Sequence, residues 1–443
     1  MKRCVDTIAR RRPRTDGNWP ALSCALALLA VLALSGCTRS EEKVQHIQFS
    51  FWGSVMQEQT EKELIRAFEQ ENPDIKVEPL SIGTRYADKI QAMMVGSVAP
   101  DVMMIELRQT YEWAERGVLM DLTDEMREIE KTVTLMPVPE TVYDRDGKFY
   151  VVPINCHGGA MYCNLDALKK AGVPFPYPQV TWEYIEKIAP RLSRKSGNPA
   201  APTEYAMLLP SPVIFFNAFG ASHFDDPFHP AKVTINSPQA AEALNFIRGL
   251  YARGLAAPPD VVRDQGTYQL FRDGKVAFHF EGRWRTPDFS GKTAFAWDVA
   301  PIPRGPVSGA VVHGGTGLAV YAQSRHAEAA RRFVRFYASP RGAEISMLGG
   351  RYVPVFREVA YGEKFLSLRP PPSIRRWPET MEEGASRVPL YAPGMTEVET
   401  IFNSRMEQAF SQPQIPTETI LAGLESDLNR WLERMRKAGE MGR

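Results

Sequence analysis

The feature that most constrains this chain is a regular change of period in residues 46–105. His46-Ile47-Gln48-Phe49-Ser50-Phe51-Trp52 alternates at first as a strand does, Gly53-Ser54 breaks it, and a helical stretch follows with Leu64, Ile65 and Phe68 on one face. Asn72-Pro73-Asp74 stops that helix. Ile75-Lys76-Val77-Glu78-Pro79-Leu80 alternates again, Tyr86 to Val95 is helical, and Asp101-Val102-Met103-Met104-Ile105 reads as a buried third strand. A β-α-β-α-β unit of this kind builds doubly wound sheets, whose ligands sit beyond the carboxyl ends of the strands, where helix N-termini also point. Trp52, Gly83-Thr84-Arg85 and Glu106 all fall at those ends.

A leader precedes the unit. Fourteen mostly apolar residues, Ala21 to Leu34, follow Lys2, Arg3, Arg10, Arg11, Arg12 and Arg14, a run too short to span a bilayer but arranged as in a secretory signal. It ends in Leu34-Ser35-Gly36-Cys37, which resembles the bacterial lipobox, where cleavage before the cysteine leaves an acylated N-terminus. That resemblance implies a signal peptide over 1–36, lipidation at Cys37 and a polar tether over 37–45. It places the body in the cell envelope, on the periplasmic or extracellular face, touching the membrane through its lipid anchor only. Several acyl chains, at about 0.8 kcal/mol per buried CH₂, hold stably where one chain is marginal. Removing 1–36 takes away six Lys/Arg and two Asp and leaves 47 basic and 50 acidic residues, a net charge of −3. So balanced a surface gives no footprint for nucleic acid. The remaining 407 residues suffice for two domains with substantial cores, and no later segment approaches 18 consecutive apolar residues. Cys4 and Cys24 leave with the signal, so Cys156 and Cys163 remain. Both flanks read as strand, and an extended spacing of seven residues separates the Cα atoms beyond disulfide range. Unless the chain reverses at Gly158-Gly159, they are free, buried thiols.

Several segments, in order along nearly the whole mature length, resemble the extracellular solute-binding proteins of carbohydrate ABC importers, the maltodextrin-binding-protein-like family. Phe51-Trp52-Gly53 with Phe68-Glu69-Gln70-Glu71-Asn72-Pro73-Asp74-Ile75-Lys76-Val77 is similar to the family's opening. Ala99-Pro100-Asp101-Val102 and the run from Trp113 through Gly117-Val118-Leu119-Met120-Asp121-Leu122-Thr123 match its next signature. Tyr150-Val151-Val152-Pro153, Met161-Tyr162-Cys163-Asn164-Leu165-Asp166 and Thr181-Trp182-Glu183 follow, then Phe271-Arg272-Asp273-Gly274-Lys275 with Glu281-Gly282-Arg283-Trp284, and Gly314-Gly315-Thr316-Gly317-Leu318. Cys163 stands where the family usually has a second aromatic, and Phe278 where it has a methionine; both leave the sugar open.

The resemblance implies an α/β, two-lobed periplasmic-binding-protein fold of type II-like form, each lobe a doubly wound sheet with flanking helices, with three hinge crossovers. The crossovers are expected near 154–159, 299–302 and 347–352. One lobe would be 46–155 plus 302–348 and the other 158–299 plus 352–443. It implies a monomer that binds a carbohydrate ligand between the lobes and presents its closed form to ABC transporter permease subunits, with no cofactor and no metal.

A sugar offers hydroxyls at its edge and C–H groups on its faces, so its cleft needs flat aromatics and a rim of carboxylates, amides or Arg. Trp52 and Trp284 supply the aromatics from opposite lobes, at about 100 Å² of apolar surface per stacked ring. Core packing is the alternative for each, and it is the reading adopted for Trp182. Arg85, Glu106 and Arg108 lie past strand ends. Asn155 and His157 sit at the first crossover, where they reach the cleft or satisfy hinge backbone. Asp101 is expected to be structural. Glu281 is a rim acceptor or the partner of Arg283. In His313-Gly314-Gly315-Thr316-Gly317, Gly315 and Thr316 lay backbone N–H groups against a ligand or form a turn before the strand Leu318 to Tyr321. Arg351 and Tyr352 stand at the third crossover. Pro190 should kink the helix begun by Thr181 or end it early.

Enzyme chemistry is present only in fragments. His279-Phe280-Glu281 imitates a deaminase motif without its Pro-Cys-x-x-Cys, and Gly291-Lys292-Thr293 imitates a phosphate loop whose first glycine is Thr286. Two other readings of the cleft exist. A receptor for another polar solute would want a carboxylate-lined cleft for a polyamine or a cluster of Arg for a polyol phosphate, which Arg85, Arg108, Arg283, Arg285 and Arg351 make possible, and a sensory or scaffolding lipoprotein would present its closed form to a signalling receptor.

Overall fold

In the computed structural model the described residues are 44–53, 55–137, 147–175, 180–194, 203–309, 314–383 and 393–439. The signal, Cys37 and the tether up to residue 43 lie outside them, as does His313, and nothing is described of the His157 side chain. Residues 45–443 form one compact unit.

The opening unit folds as its periodicity dictates. Strand β1 (Gln45–Trp52) pairs in parallel with β2 (Ile75–Ile82) and β3 (Val102–Glu106), linked by helices α1 (Val55–Glu71) and α2 (Tyr86–Val95). The apolar stripe of α1 is buried: Phe68 packs edge-on against Phe333 of α6 (Ala327–Tyr337), whose ring also meets Phe49 of β1, and α7 (Pro340–Met347) follows α6. Strands β4 (Val152–His157), β9 (Gly314–Val320) and β10 (Val353–Pro354) complete a six-stranded sheet in the order β10-β4-β9-β3-β1-β2, with β9 antiparallel to β3 and β4. Asp101 ties this sheet together, accepting from the Gln48 N–H at 2.9 Å and from Ser324 Oγ at 2.5 Å, the structural role its position implied.

A second, four-stranded sheet runs β6-β7-β5-β8, from β5 (Gly159–Asn164), β6 (Tyr205–Met207), β7 (Val276–Gly282) and β8 (Trp297–Ala300). Helices α3 (Trp182–Leu192), α4 (Pro212–Phe219), α5 (Pro238–Ala252), α8 (Met395–Ser411) and α9 (Thr417–Ala438) share its core. Trp182 is buried between Phe215 and Phe280, ring centroids 4.4 and 5.0 Å away, so packing is its role. Thr181 caps α3 through Oγ1, which accepts from the Tyr184 N–H at 3.1 Å. The helix passes Pro190 and stops two residues later, at Leu192.

The chain passes from lobe to lobe three times. Between β4 and β5 only Gly158 intervenes, and without a reversal there Cys156 and Cys163 stay apart, both buried and free. The second passage comes later than the expected 299–302. Ile302 packs in the second lobe's core, and Val307 and Ser308 N–H groups still donate to the Ala218 carbonyl there. The third also comes later than 347–352. Val353–Pro354 pairs with β4, and Val355 and Phe356 pack in the first lobe's core. In both places backbone pairing, which sequence periodicity does not report, holds the chain to the lobe it is leaving. A third core, including Cys156, Tyr162, Val353 and Trp377, fills the space beneath these passages.

Candidate functional site

The strand ends of the first sheet and one wall of the second lobe enclose two adjoining chambers. The smaller, of about 310 Å³, is lined by Trp52, Gly53, Gln57, Gly83, Glu106, Trp284, Thr316, Arg351 and Tyr352. The larger, of about 580 Å³, shares Glu106 and Trp284 with it. It continues along Arg108, Leu209, Ile214, His223, Glu281, Ile302, Gly315, Glu399 and Phe402, among others.

Trp52 ends β1 and is half-buried, its indole tilted at 32° on Tyr86 with centroids 4.5 Å apart. Tyr86 is itself pinned, its hydroxyl 2.8 Å from Ser50 Oγ. Trp284 follows β7 in a single 3₁₀ turn, Arg283–Arg285. Its ring lies directly on Gly282, where an added Cβ would stand 1.8 Å from Cζ3. Only glycine lets this indole fold back over its own strand end.

Glu106 ends β3 beside Thr316 of β9. Thr316 is oriented by Asn155, whose Nδ2 donates to Thr316 Oγ1 at 2.5 Å while its Oδ1 accepts from the Thr316 N–H at 3.2 Å. Asn155 is 2% exposed and lines neither chamber, so it acts through Thr316. The glycine-rich segment is strand rather than turn. Gly315 and Gly317 lie inside β9, where a Cβ would stand 2.6 Å from the Asn155 carbonyl oxygen or 2.3 Å from Val151 Cγ1. Close sheet packing explains these glycines, and Gly315 still lines the larger chamber.

The two lobes meet in charge at Arg108. Its Nε donates to Glu106 Oε2 at 2.9 Å and its Nη1 to Glu399 Oε1 on α8, across the cleft. Burial pushes the Glu399 carboxyl up against the opposing pull of Arg108. For Arg108 burial disfavours the charge, but the two carboxylates outweigh it and raise its pKa. Burial also raises Glu281, which accepts from the Gly282 N–H at 3.2 Å and forms no ion pair with Arg283.

The five arginines are not gathered. Arg85 is exposed and pairs with Asp88 at 2.8 Å, away from both chambers. Arg283 is buried under Phe365 and donates to the Tyr352 carbonyl at 3.1 Å. Arg285 pairs with Asp288 and covers Tyr268. Only Arg108 and Arg351 line the cleft. Of the expected residues, Trp52, Glu106, Glu281, Trp284, Gly315, Thr316, Arg351 and Tyr352 line it, while Arg85 and Asn155 do not. Gln57, His223, Glu399 and Asn403 were missed. Gln57 had a signal, since it opens the helix after the first strand; Glu399 and Asn403 are brought in by α8 and His223 by the segment after α4, all far along the chain.

Residues 53–344 match the family described as bacterial extracellular solute-binding protein. The arabinooligosaccharide-binding protein of Bacillus subtilis is 24% identical over 70% of this chain and 74% of its own length. Among the curated relatives the matches span from 51% to 75% of the relative's length. An ABC substrate-binding protein from Listeria monocytogenes, in complex with cycloalternan, superposes with a TM-score of 0.77 at 24% identity, covering 88% of this chain and 99% of that one. A maltose-bound protein from T. maritima does so with a TM-score of 0.73 at 21% identity, over 87% and 99%. The two-lobed α/β fold expected from the sequence is the fold of these proteins.

Proposed function

Because this chain belongs to the family of bacterial extracellular solute-binding proteins, we propose that it captures a sugar or oligosaccharide between its lobes and delivers it to the permease of an ABC importer. The observation that carries this reading is the pair Trp52 and Trp284, brought from opposite lobes to one chamber. Two flat rings beside Gln57, Glu106, Thr316 and Arg351 match the faces and the hydroxyl edge of a pyranose. Similarity to an arabinooligosaccharide-binding protein and to proteins holding cycloalternan and maltose supports the same class. Closure about the three passages shifts population toward the liganded form that a permease recognises.

The protein binds without turnover, as a monomer, and is held to the membrane by acylated Cys37. No helix among the described residues is long and apolar enough to cross a membrane. Replacement of Cys37 by Ser should release the protein from the membrane fraction; retention would mean that the leader itself anchors it. The dispersal of the arginines argues against a polyol phosphate. A thermal-shift and calorimetric panel of mono- and oligosaccharides, with glycerol phosphates as the contrast, tests the reading. A ligand at about 100 times its Kd adds about 2.7 kcal/mol of stability. Saccharides recovered unchanged after binding support a receptor. Stabilisation by phosphates alone, or a saccharide recovered cleaved, refutes it.

A further inference from the structure

The larger chamber carries a charge imbalance that a neutral sugar leaves unmatched. Glu106, Glu281 and Glu399 all line it, and Arg108 is the one Lys or Arg among the described residues that line it. That guanidinium is already divided between Glu106 and Glu399. Glu281 is left over, half-buried, with the N–H of its neighbour Gly282 as its hydrogen-bond donor and no ion pair among the described residues; the positive charge that acts on it is that of Arg285, which is itself paired with Asp288.

Two histidines on the same wall do not supply the missing positive charge. His223 is 1% exposed and His279 2% exposed. Burial drives their pKa values down to about 4 and about 3, so both rings are neutral. Nε2 of His223 and both ring nitrogens of His279 have no hydrogen-bond partner among the described residues. A neutral imidazole has one ring nitrogen with a free lone pair, an acceptor for an N–H donor. The remaining wall, with Leu209, Val213, Ile214, Ile302 and Phe402, is apolar. It keeps water scarce, so charges here interact more strongly than at an open surface. A buried carboxylate in such a place stays charged at low cost only beside a cation.

We infer that the larger chamber receives a sugar unit bearing a protonated amine, which pairs with Glu281 and donates to the neighbouring acceptors. This rests on the saccharide-receptor reading and narrows its ligand to an amino sugar, with the neutral part of the molecule on Trp52 and Trp284. A phosphate there would face three carboxylates, and an N-acetylated sugar would bring no charge.

The test is calorimetry at about pH 6, below the ordinary range of amines. It compares glucosamine, galactosamine and their β-linked di- and trisaccharides with the N-acetylated counterpart of each. An amine form that binds at least tenfold tighter than its acetylated partner, with a preference that collapses toward one in Glu281→Gln, supports the inference. Glu399→Gln reports the same charge balance from α8 should Glu281→Gln fail to fold. Equal or tighter binding of acetylated or neutral saccharides overturns the amine and leaves the receptor standing. Binding of spermidine with no saccharide bound overturns both.

Discussion

The two chambers differ in what they offer a ligand, although they share Glu106 and Trp284. The smaller is built from strand ends of the first sheet and from Arg351 and Tyr352, and it is polar with two indoles. The larger is built mostly from the second lobe, with β7, α4 and α8 among its walls, and it is apolar and acidic. The smaller chamber can grip one sugar ring by its faces and hydroxyls, while the larger selects what is attached to that ring.

The support beneath the smaller chamber sets the largest expected effect. Gln57 there donates to Glu61, a fully buried carboxylate that also accepts from Tyr337 Oη at 3.0 Å. Burial pushes Glu61 up to about 7. Because the folded pKa lies above the unfolded one, the folded state holds its proton more tightly. Stability then falls as pH rises from about 4.5 to about 7 and levels off above, by about 3 kcal/mol in all. Glu61→Gln should flatten this dependence and stabilise the protein at about pH 8; denaturant titrations at about pH 5 and pH 8 measure it. A wild-type slope surviving in the variant would show that Glu61 is not its source.

Trp284 touches both chambers, so its loss should weaken every ligand. Trp284→Ala is expected to cost tenfold or more in affinity, over about 1.4 kcal/mol, with little change in melting temperature. Gly282→Ala should imitate it, because its Cβ would occupy the indole's place. Trp52→Ala removes a ring from the smaller chamber alone, and its penalty should be the same for amine-bearing and acetylated sugars. A penalty confined to one of them would merge the two chambers into one site.

Legibility follows how local the determining forces are. Helix α2 begins and ends at Tyr86 and Val95 as read from sequence, since its apolar spacing sets it. The glycine-rich stretch reads equally well as turn, because glycines carry no alternating signal; only its packing on Leu107 and Val151 makes it strand. Glu399 meets Arg108 across 291 residues of sequence, a pairing that no window of the chain contains. Arg283, one of the five arginines that could have suited a phosphate, is buried behind the site, where it donates to the Tyr352 carbonyl and lies over the Phe365 ring.

The Arg108–Glu399 pair joins the lobes, but both side chains are more than a third exposed, at 39% and 34%. Screening and side-chain entropy hold such a pair to about 0.5–1 kcal/mol. Arg108→Met should therefore cost neutral sugars only a few-fold in affinity, less at high salt. For an amine-bearing sugar the same change leaves more negative charge in the larger chamber and should cost less, or improve binding. A loss of a hundredfold for both would make Arg108 a direct ligand contact instead of a clasp.

Arg85 gives the smallest effect and the cleanest negative control. It lies two residues beyond Gly83, which lines the smaller chamber, yet its own side chain is exposed and held by Asp88. Its backbone sits at φ 53°, left-handed, a conformation that costs a non-glycine residue about 1–2 kcal/mol. Arg85→Gly relieves that cost and removes only a surface ion pair, so affinity should stay within about twofold while stability rises by about 0.5–1 kcal/mol. Calorimetry and a melting curve on the same sample read both. A tenfold loss of affinity would move the second loop into the smaller chamber and add a cation to the one that Arg351 supplies there among the described residues.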